Sequence, residues 1–386
     1  MTSHLKDAPL LARDFSEVIL SKLSLEAILP VPLAITRFAH APTPPKSRFV
    51  WLSFSPPTIL QSASTIDTCY NLWLALPVPD SQQLSQLRQD LSSTTADTIA
   101  TVSPLSLELV YASHTIRLPL WPLNLWPTLQ SLIKYSQSWD SARKRLFELV
   151  ATNTYREQAT RLLDQLTELH MNAEIPGLPS FRTAYIPDLI RDSWLSDNHI
   201  NAGVDLINSH FHRRTTTYAL DSFFLLNLEQ SFERSSFERS SLWCPRRPAL
   251  LDGLVVSQGA VELLIPVHRP GHWTLLHVNI DARCYSYCDT LNPANYQAPQ
   301  SLIDHLNQWL TGLLGMPIVL VSSPRPFPLD KQLDGHSCGV AVLSTMANIA
   351  LDGVSKSWSQ LLALEHRLNW SFYLLDPVLG SEVGFV

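Results

Sequence analysis

The sequence predicts an α+β fold for the second half of the chain, in which helices flank one mixed sheet. Short runs rich in β-branched and aromatic residues predict the strands, at residues 263–267, 273–280, 284–288 and 317–321. Apolar residues recur at helical spacing from Leu302 to Leu313, which predicts an amphipathic helix. Residues 339–347 are small and apolar nearly all round, a pattern typical of a buried helix.

The first half predicts a second α+β region, with strands followed by helices. Its strand candidates are residues 48–54, 70–76, 107–111 and 114–118, and the last two form a predicted hairpin. Residues 128–171 show helical periodicity. The aromatic segment Trp121–Pro127 lies between them, and we interpret it as core packing in preference to a partner-docking surface.

The segment Ile175–Ser180 breaks the helical pattern with two prolines and a glycine, and it is the predicted domain boundary. We therefore expect an N-terminal region of unknown function at residues 1–175 and a second domain at residues 180–386. A chain of 386 residues is long enough for two domains, each with its own core.

Composition narrows the classes of function. With 45% hydrophobic and 16% charged residues the chain is predicted to be globular, and its net charge of −6 offers no basic field for nucleic acid. No apolar run reaches the length of a membrane span, and residues 1–7 lack the order of a signal peptide. Five cysteines do not form a disulfide framework, so we expect an intracellular location in the nucleus, the cytoplasm or both.

A histidine, an aspartate and a cysteine are placed for nucleophilic catalysis. His272 begins one predicted strand and Asp289 ends the next, and a turn near Ile280 and Asp281 would place the two directly opposite each other. A carboxylate beside an imidazole fixes its tautomer and stabilises its cation, as a general base requires. Cys338 begins the predicted buried helix, where the unpaired N–H groups and the macrodipole favour a thiolate.

Gln332 is the candidate partner for the oxyanion. It lies on a loop six residues before Cys338, where its side-chain amide and the Cys338 N–H could both donate to a developing negative charge. The predicted catalytic set is therefore His272, Asp289 and Cys338, with Gln332 in the oxyanion hole.

In these residues the sequence resembles the ubiquitin-like-protein proteases, the SUMO-specific cysteine peptidases whose relatives include adenain. The matching segments, in the order of that family, are Trp194-Leu195-Ser196-Asp197, residues 263–267, His272-Trp273, Asp289-Thr290 and residues 332–339. The resemblance covers roughly residues 180 to 386. It implies the ubiquitin-like protease fold and cleavage after Gly-Gly of SUMO or a related modifier, with that modifier and its conjugates as partners and no cofactor.

The resemblance also implies a substrate-binding set of Trp194, Asp197 and Trp273. Trp194 and Trp273 would form the walls of a narrow channel for the Gly-Gly tail. Asp197 has in addition a local interpretation as the N-cap of a helix that extends to about Ser209. The sequence departs from the family at Ser337, where an acidic residue usually precedes the nucleophile, and this weakens assignment to the best-known SUMO-cleaving branch.

Other functions stay open at this level. An acyltransferase or a viral-type protease could use the same residues, and an inactive module could bind a modifier without cleaving it. Gly335-His336-Ser337-Cys338-Gly339 also fits the G-x-S-x-G elbow of serine hydrolases, but a loop precedes it where that elbow needs a strand. Cys284, Cys288 and His277 do not have the spacing of a zinc site, so we predict no metal.

Overall fold

The computed structural model describes the following residues: 30–36, 81–82, 84–86, 88–89, 106–111, 114–119, 122–211, 217–233, 261–294, 297–323, 330–350 and 357–376. The chain divides into two compact units, Met1–Asp140 with Gln165–Ala173 and Ser141–Asp164 with Glu174–Val386. The predicted boundary near residue 175 stays a prediction, because residues 141–164 also belong to the second unit. The strands predicted at residues 48–54 and 70–76 lie outside the described residues.

The described part of the first unit contains a short helix, a hairpin and the start of a long helix. These elements are α1 (Val31–Ala34), β1 (Ser106–Tyr111), β2 (His114–Pro119) and the first part of α2 (Pro122–Ala151). The two strands pair antiparallel, which confirms the predicted hairpin. The Trp139 indole N–H donates to the Met171 carbonyl at 3.1 Å, and the Val31 N–H donates to the Leu169 carbonyl at 2.9 Å, so residues 169–171 hold both α1 and α2.

The predicted helical stretch at residues 128–171 is two helices. Helix α2 begins at Pro122, earlier than expected, and α3 (Arg156–Leu166) follows a turn in which Asn153 and Tyr155 have positive φ. Proline at the first helical position loses no hydrogen bond, so the proline-broken segment is compatible with a helix start. Its side chains through Trp126 lie outside the described residues, and its core role stays a prediction.

The segment predicted as the domain boundary folds as a tight hairpin. Strands β3 (Glu174–Ile175) and β4 (Leu178–Arg182) pair antiparallel, with Gly177 in the left-handed region at φ +83°. Ile175 and Leu178 are buried, which explains why this proline- and glycine-containing segment is ordered.

The second unit contains a five-stranded mixed sheet in the order β5-β6-β7-β8-β9. Its strands are β5 (Thr217–Ala219), β6 (Glu262–Arg269), β7 (His272–Asn279), β8 (Cys284–Cys288) and β9 (Val321–Ser322). The inner pairs are antiparallel, whereas β5 and β9 add in parallel at the edges. The helices are α4 (Ile186–Ile190), α5 (Asp197–Phe211), α6 (Phe224–Glu233), α7 (Gln300–Leu314), α8 (Cys338–Ala350) and α9 (Ala363–Leu375). The predicted α+β class is confirmed.

Both faces of β7 are buried. Leu276 and Val278 join a core with Leu306 of α7, while Leu275 points to the opposite face, where α8 packs against the strand. Residues 338–347 are all buried, which confirms the predicted apolar helix. Within the described residues, none of the helices combines the length and the apolar character needed to cross a membrane.

The register of the β7–β8 hairpin differs from the prediction by two residues. Leu275 pairs with Cys288 and Asn279 with Cys284, so the turn occupies residues 280–283 and Asp289 does not lie directly opposite His272. The turn is longer than expected because Arg283 adopts a positive φ of 49° and the Asn279 side chain accepts the Ala282 N–H at 2.8 Å. A slip of two residues keeps every side chain on its original face.

The return strand predicted at residues 317–321 is mostly an extended segment outside the sheet. Val319 and Val321 are exposed, and only Val321 and Ser322 form ladder pairs. Side chains of α7 take the place of a neighbouring strand. Asn307 accepts the Leu320 N–H at 2.8 Å, and Thr311 accepts the N–H of Ile318 at 2.9 Å.

Candidate active site

His272 and Asp289 form a hydrogen-bonded pair at one end of the β7–β8 hairpin. His272 is the first residue of β7, Asp289 follows the last residue of β8, and Nε2 lies 2.8 Å from Oδ1. The observed register makes them diagonal neighbours on one face, a separation that long side chains bridge. The same Oδ1 accepts the N–H groups of Leu291 at 3.0 Å and Asn292 at 3.3 Å, so the chain after β8 fixes the carboxylate.

The second ring nitrogen of His272 is left for the thiol. Nδ1 is buried and makes no well-formed hydrogen bond with any described residue. Burial lowers the pKa of His272, but the interaction with the Cys338 thiol and the hydrogen bond to Asp289 together outweigh it, so the pKa is raised. The Cys338 thiol and the His272 imidazole therefore interact, although Nδ1 makes no well-formed hydrogen bond. Loose contacts of this kind between nucleophile and base are common before substrate binds.

Cys338 is the first residue of α8, as predicted, and it is 2% exposed. The Ala341 N–H donates to the Ser337 carbonyl at 2.9 Å, which places Ser337 at the cap and leaves the first N–H groups of the helix without helical partners. Gly339 lets this end approach Leu195, since a Cβ on Gly339 would come within 2.9 Å of the Leu195 Cβ. Cys338, the predicted nucleophile, therefore begins a helix that is packed tightly against the Trp194 segment.

Gln332 lies near the site, but its amide is engaged. Its main-chain N–H donates to the Thr290 carbonyl at 2.8 Å, and its Oε1 accepts the Thr290 hydroxyl at 2.9 Å. Its Nε2 donates to the Asp334 carbonyl at 2.7 Å, with Asp334 Oδ1 at 3.3 Å. Since both amide hydrogens face Asp334, an oxyanion would have to displace one of these contacts. The oxyanion role of Gln332 stays a prediction.

Asp334 organises the loop before Cys338, a role that the sequence did not reveal. Its Oδ1 accepts the N–H groups of His336 at 2.9 Å and Ser337 at 2.8 Å, and its Oδ2 accepts the Gln360 side chain at 2.7 Å. Burial raises the pKa of Asp334, but the Gln360 amide and the loop N–H groups outweigh it and lower the pKa to about 2. The carboxylate is therefore ionised wherever the protein is folded under ordinary conditions.

The predicted substrate-binding tryptophans differ in exposure. Trp194 is 49% exposed, and its ring lies over Gly271, where an added Cβ would come within 2.9 Å of the Trp194 Cη2 atom. Gly271 also has φ +70°, so glycine is required there for two reasons. Trp273 is 4% exposed, and its indole N–H donates to the Leu195 carbonyl at 2.8 Å. Trp194 thus presents a face beside His272, whereas Trp273 holds the chain that carries Trp194.

Asp197 is not the N-cap of α5, and that prediction was wrong by one residue. Helix α5 begins at Asp197, and the Ile200 N–H donates to the Ser196 carbonyl at 3.2 Å, so Ser196 occupies the cap position. The Ser196 hydroxyl and N–H lie 2.9 Å and 3.2 Å from Nδ1 of His199. His199 therefore performs the reciprocal role that Glu or Gln has in a capping box. The substrate-binding role of Asp197 stays a prediction.

The alternative chemistries find no geometric support in the described residues. Ser337 is 1% exposed. Residues 330–336, which directly precede it, form no strand that could lead into a nucleophile elbow. Burial raises the pKa of the Cys288 thiol to about 12, and His277 Nε2 lies 3.4 Å from a Glu262 oxygen. No group of three metal-ligating side chains occurs in the part of the chain that the structure describes.

The α+β unit thus brings together a thiol, an imidazole and a carboxylate, the residue types that cysteine peptidases use for catalysis. No protein-family model matches the chain. The chain is 23% identical over 153 residues to Sentrin-specific protease 2 of Rattus norvegicus, and 24% identical over 82 residues to that of Homo sapiens. These matches cover 38% and 20% of this chain, and 24% and 14% of the relatives. The predicted resemblance to the SUMO-specific cysteine proteases is thereby confirmed.

Two solved structures align with the chain at low similarity. The C-terminal Ulp1 protease domain in complex with Smt3, the yeast ortholog of SUMO, is 19% identical and aligns over 52% of this chain and 84% of that chain, with a TM-score of 0.40. The catalytic domain of the Chaetomium thermophilum Ulp1-like SUMO protease is 22% identical and aligns over 48% of this chain and 73% of that chain, with a TM-score of 0.35.

Proposed function

We propose that the protein is a cysteine peptidase or isopeptidase that cleaves after the Gly-Gly end of SUMO or a related ubiquitin-like modifier. The observation that carries this proposal is the placement of His272. Its Nε2 is held by Asp289 at 2.8 Å, and its buried Nδ1 is left for Cys338. A base held on one side by a carboxylate and free on the other is what thiol activation requires.

The geometry supports a two-step reaction. His272 Nδ1 takes the Cys338 proton, and the sulfur attacks the carbonyl carbon of the terminal glycine. The C–N bond then breaks, the imidazolium gives its proton to the leaving amine, and a thioester remains. Water, deprotonated by the same imidazole, hydrolyses the thioester and releases the modifier. The Cys338 N–H at the start of α8 and the Gln332 amide, once freed from Asp334, stabilise the oxyanion in both steps.

The proposed substrate follows from the surroundings of the thiol. Trp194 presents an exposed ring over Gly271, next to His272, and Leu195 packs against Gly339, next to Cys338. The approach to the thiol is thus bordered by a flat aromatic surface, which suits a tail of residues without side chains. The names of the relatives support SUMO as the modifier to test first.

The proposal is tested by incubating the full chain with SUMO, ubiquitin and other modifiers that carry a C-terminal vinyl sulfone. We expect one class of modifier to form a covalent adduct with the wild type and with Ser337→Ala, but not with Cys338→Ala. Mass spectrometry of the adduct should place the bond on Cys338. A folded protein that reacts with no modifier would contradict the proposal, and loss of the adduct in Ser337→Ala alone would point to a serine hydrolase.

We also infer that the protein acts inside the cell, in the nucleus, the cytoplasm or both. A thiolate nucleophile needs a reducing environment. Imaging of the tagged chain tests this inference, and a secreted product would contradict it.

A further inference from the structure

A buried arginine lies behind the candidate site, and the mechanism above does not use it. Arg367 of α9 is 1% exposed, which is rare for an arginine unless its charge has partners. Burial lowers the pKa of Arg367, while the negative charges of Asp192 and Asp334 oppose that effect. Arginine stays protonated in proteins, so a fixed positive charge is held inside this part of the molecule.

The guanidinium binds main-chain carbonyls from two separate segments. Nη1 donates to the carbonyls of Asp188 at 3.1 Å and Arg191 at 2.9 Å, and Nη2 donates to that of Ser193 at 3.0 Å. These three residues lead directly into Trp194. Nη2 also donates to the carbonyl of His336 at 2.8 Å, two residues before Cys338. One planar group therefore joins the Trp194 segment to the nucleophile loop.

Both segments depend on such an anchor. Residues 191–196 and 330–337 contain no regular helix or strand, so no ladder of main-chain bonds fixes either one. The helix start at Gly339 packs against Leu195, which requires the two segments to keep a constant separation. A rigid fork with several donors in one plane can bridge four carbonyls at fixed spacing, whereas the compact ammonium group of lysine cannot.

We propose that Arg367 is a positioning residue that sets the distance between the Trp194 segment and the Cys338 loop, and thereby the width of the substrate channel. This inference rests on the proposed function, because the channel matters only if a modifier tail enters it. Arg367 contacts the side chain of His336, with Nη2 3.2 Å from Nδ1, but in the described contacts it touches neither the Cys338 thiol nor the His272 imidazole. Its effect passes through the main chain at Ser193 and His336.

The test uses two variants. Arg367→Lys keeps the positive charge but loses the planar guanidinium, and Arg367→Met keeps only an unbranched, uncharged side chain. The matched control is Arg161→Lys. Arg161 of α3 is exposed and lies 4.8 Å from the ring of Phe372 on α9, so its replacement changes an arginine that packs against α9 without touching the loops. Hydrogen exchange of the full chain should accelerate in both residues 188–195 and residues 333–339 of Arg367→Lys, and not in the control.

Two reactions of Cys338 distinguish a change in the width of the substrate channel from a loss of thiol reactivity. Turnover of a SUMO substrate should fall about 100-fold in Arg367→Lys, with a higher KM and a lower kcat, because small displacements of the reacting groups have effects of this size. Alkylation of Cys338 by iodoacetamide needs neither the channel nor the oxyanion hole, and it should change less than about threefold. If Arg367→Met does not fold, Arg367→Lys decides alone.

The inference is overturned if Arg367→Lys has the same hydrogen exchange and the same turnover as the wild type. A positive charge without the guanidinium would then be enough to hold the two segments. It is also overturned if exchange accelerates while turnover is unchanged, because the arginine would then be structural only. A wild type that reacts with no modifier would contradict the proposed function. The exchange of the two segments would still show whether Arg367 joins them.

Discussion

The two sides of the candidate site are held by different kinds of interaction. On the hairpin side, the ladder between β7 and β8 places His272 and Asp289, and each needs only its position along a strand. On the loop side, the segment that leads to Cys338 is held by side chains that bind its main chain, principally Asp334 and Arg367. On the hairpin side, the main-chain hydrogen bonds between two strands fix the positions of His272 and Asp289. On the loop side, the position of the main chain depends on the contacts of a few single side chains.

This difference separates the expected effects of mutation. A change on the hairpin side should alter the protonation of His272 and leave the surrounding main chain in place. A change on the loop side should move Cys338 but keep the hydrogen bond from Asp289 that contributes to the raised pKa of His272. Activity falls in both cases, but the pH profile and the hydrogen exchange distinguish them.

The largest effect is expected for Asp289→Asn, which removes the carboxylate from Nε2 of His272. Turnover should fall by about 10²–10⁴-fold, since the amide no longer enforces the tautomer or stabilises the imidazolium. The carboxylate contributes to the raised pKa of His272, so its loss lowers that pKa and moves the acidic limb of the kcat/KM profile to lower pH. A pH–rate series on both proteins measures the shift.

The matched control for this change is Asp281→Asn at the other end of the same hairpin. Asp281 Oδ2 accepts the Val261 N–H at 2.7 Å, so the control removes a hydrogen-bonded carboxylate from the opposite end of the hairpin. Its activity profile should stay like that of the wild type. An unmoved acidic limb in Asp289→Asn would show that this carboxylate does not set the protonation of His272.

Much of the hairpin side could be predicted from the sequence, and the reason is periodicity. The strand pattern placed His272 and Asp289 at one end of a hairpin, although the predicted turn was two residues out of register. His272 and Asp289 nevertheless lie within hydrogen-bond distance, because a shift of two residues leaves each side chain on the same face of the sheet. The same argument failed for residues 317–321, where the side chains of Asn307 and Thr311 replace the neighbouring strand. Sequence pattern alone gives no sign of that replacement.

The loop side could be predicted only in part. Cys338 was found from the apolar helix that follows it and Gln332 from its spacing, but neither Asp334 nor Arg367 has a local signal. Arg367 lies 29 residues after Cys338 on a helix of its own, and its partners are carbonyls, which every residue carries. Contacts of this kind become visible only in three dimensions.

A smaller loss is expected for Asp334→Ala on the loop side. The change leaves the N–H groups of His336 and Ser337 and the Gln360 amide without their acceptor, at about 1–3 kcal/mol for each donor that stays buried. Turnover should fall about 10–100-fold. The acidic limb should move less than in Asp289→Asn, because the hydrogen bond between Asp289 and His272 is kept. Faster hydrogen exchange at residues 333–339 should accompany the loss.

The control for Asp334→Ala is Asp330→Ala at the start of the same loop, whose carboxylate accepts the Ser359 hydroxyl and the N–H groups of Gln360 and Lys331 but not those of His336 and Ser337. Stability adds a pH test. The pKa of Asp334 is lowered from 3.8 to about 2, so its stabilisation is fully present above pH 3.8 and is lost as the pH falls through about 2. Urea unfolding of wild type and variant should therefore differ by a constant amount from pH 5 to 8, and a difference that varies there would contradict this assignment.

The smallest effect is expected where the two sides meet, at the hydrogen bond from the Trp273 indole to the Leu195 carbonyl. Trp273→Phe keeps an aromatic ring on β7 but removes the donor. Trp358→Phe is the matched control, because Trp358 is also 4% exposed and its indole N–H has no hydrogen-bond partner among the described residues. Both changes remove similar buried volume, so the difference between their free energies of unfolding isolates the hydrogen bond. That difference should be about 1 kcal/mol in favour of Trp358→Phe. If the two variants unfold at the same urea concentration, the Trp194 segment does not depend on Trp273 and is held from the loop side, through Arg367.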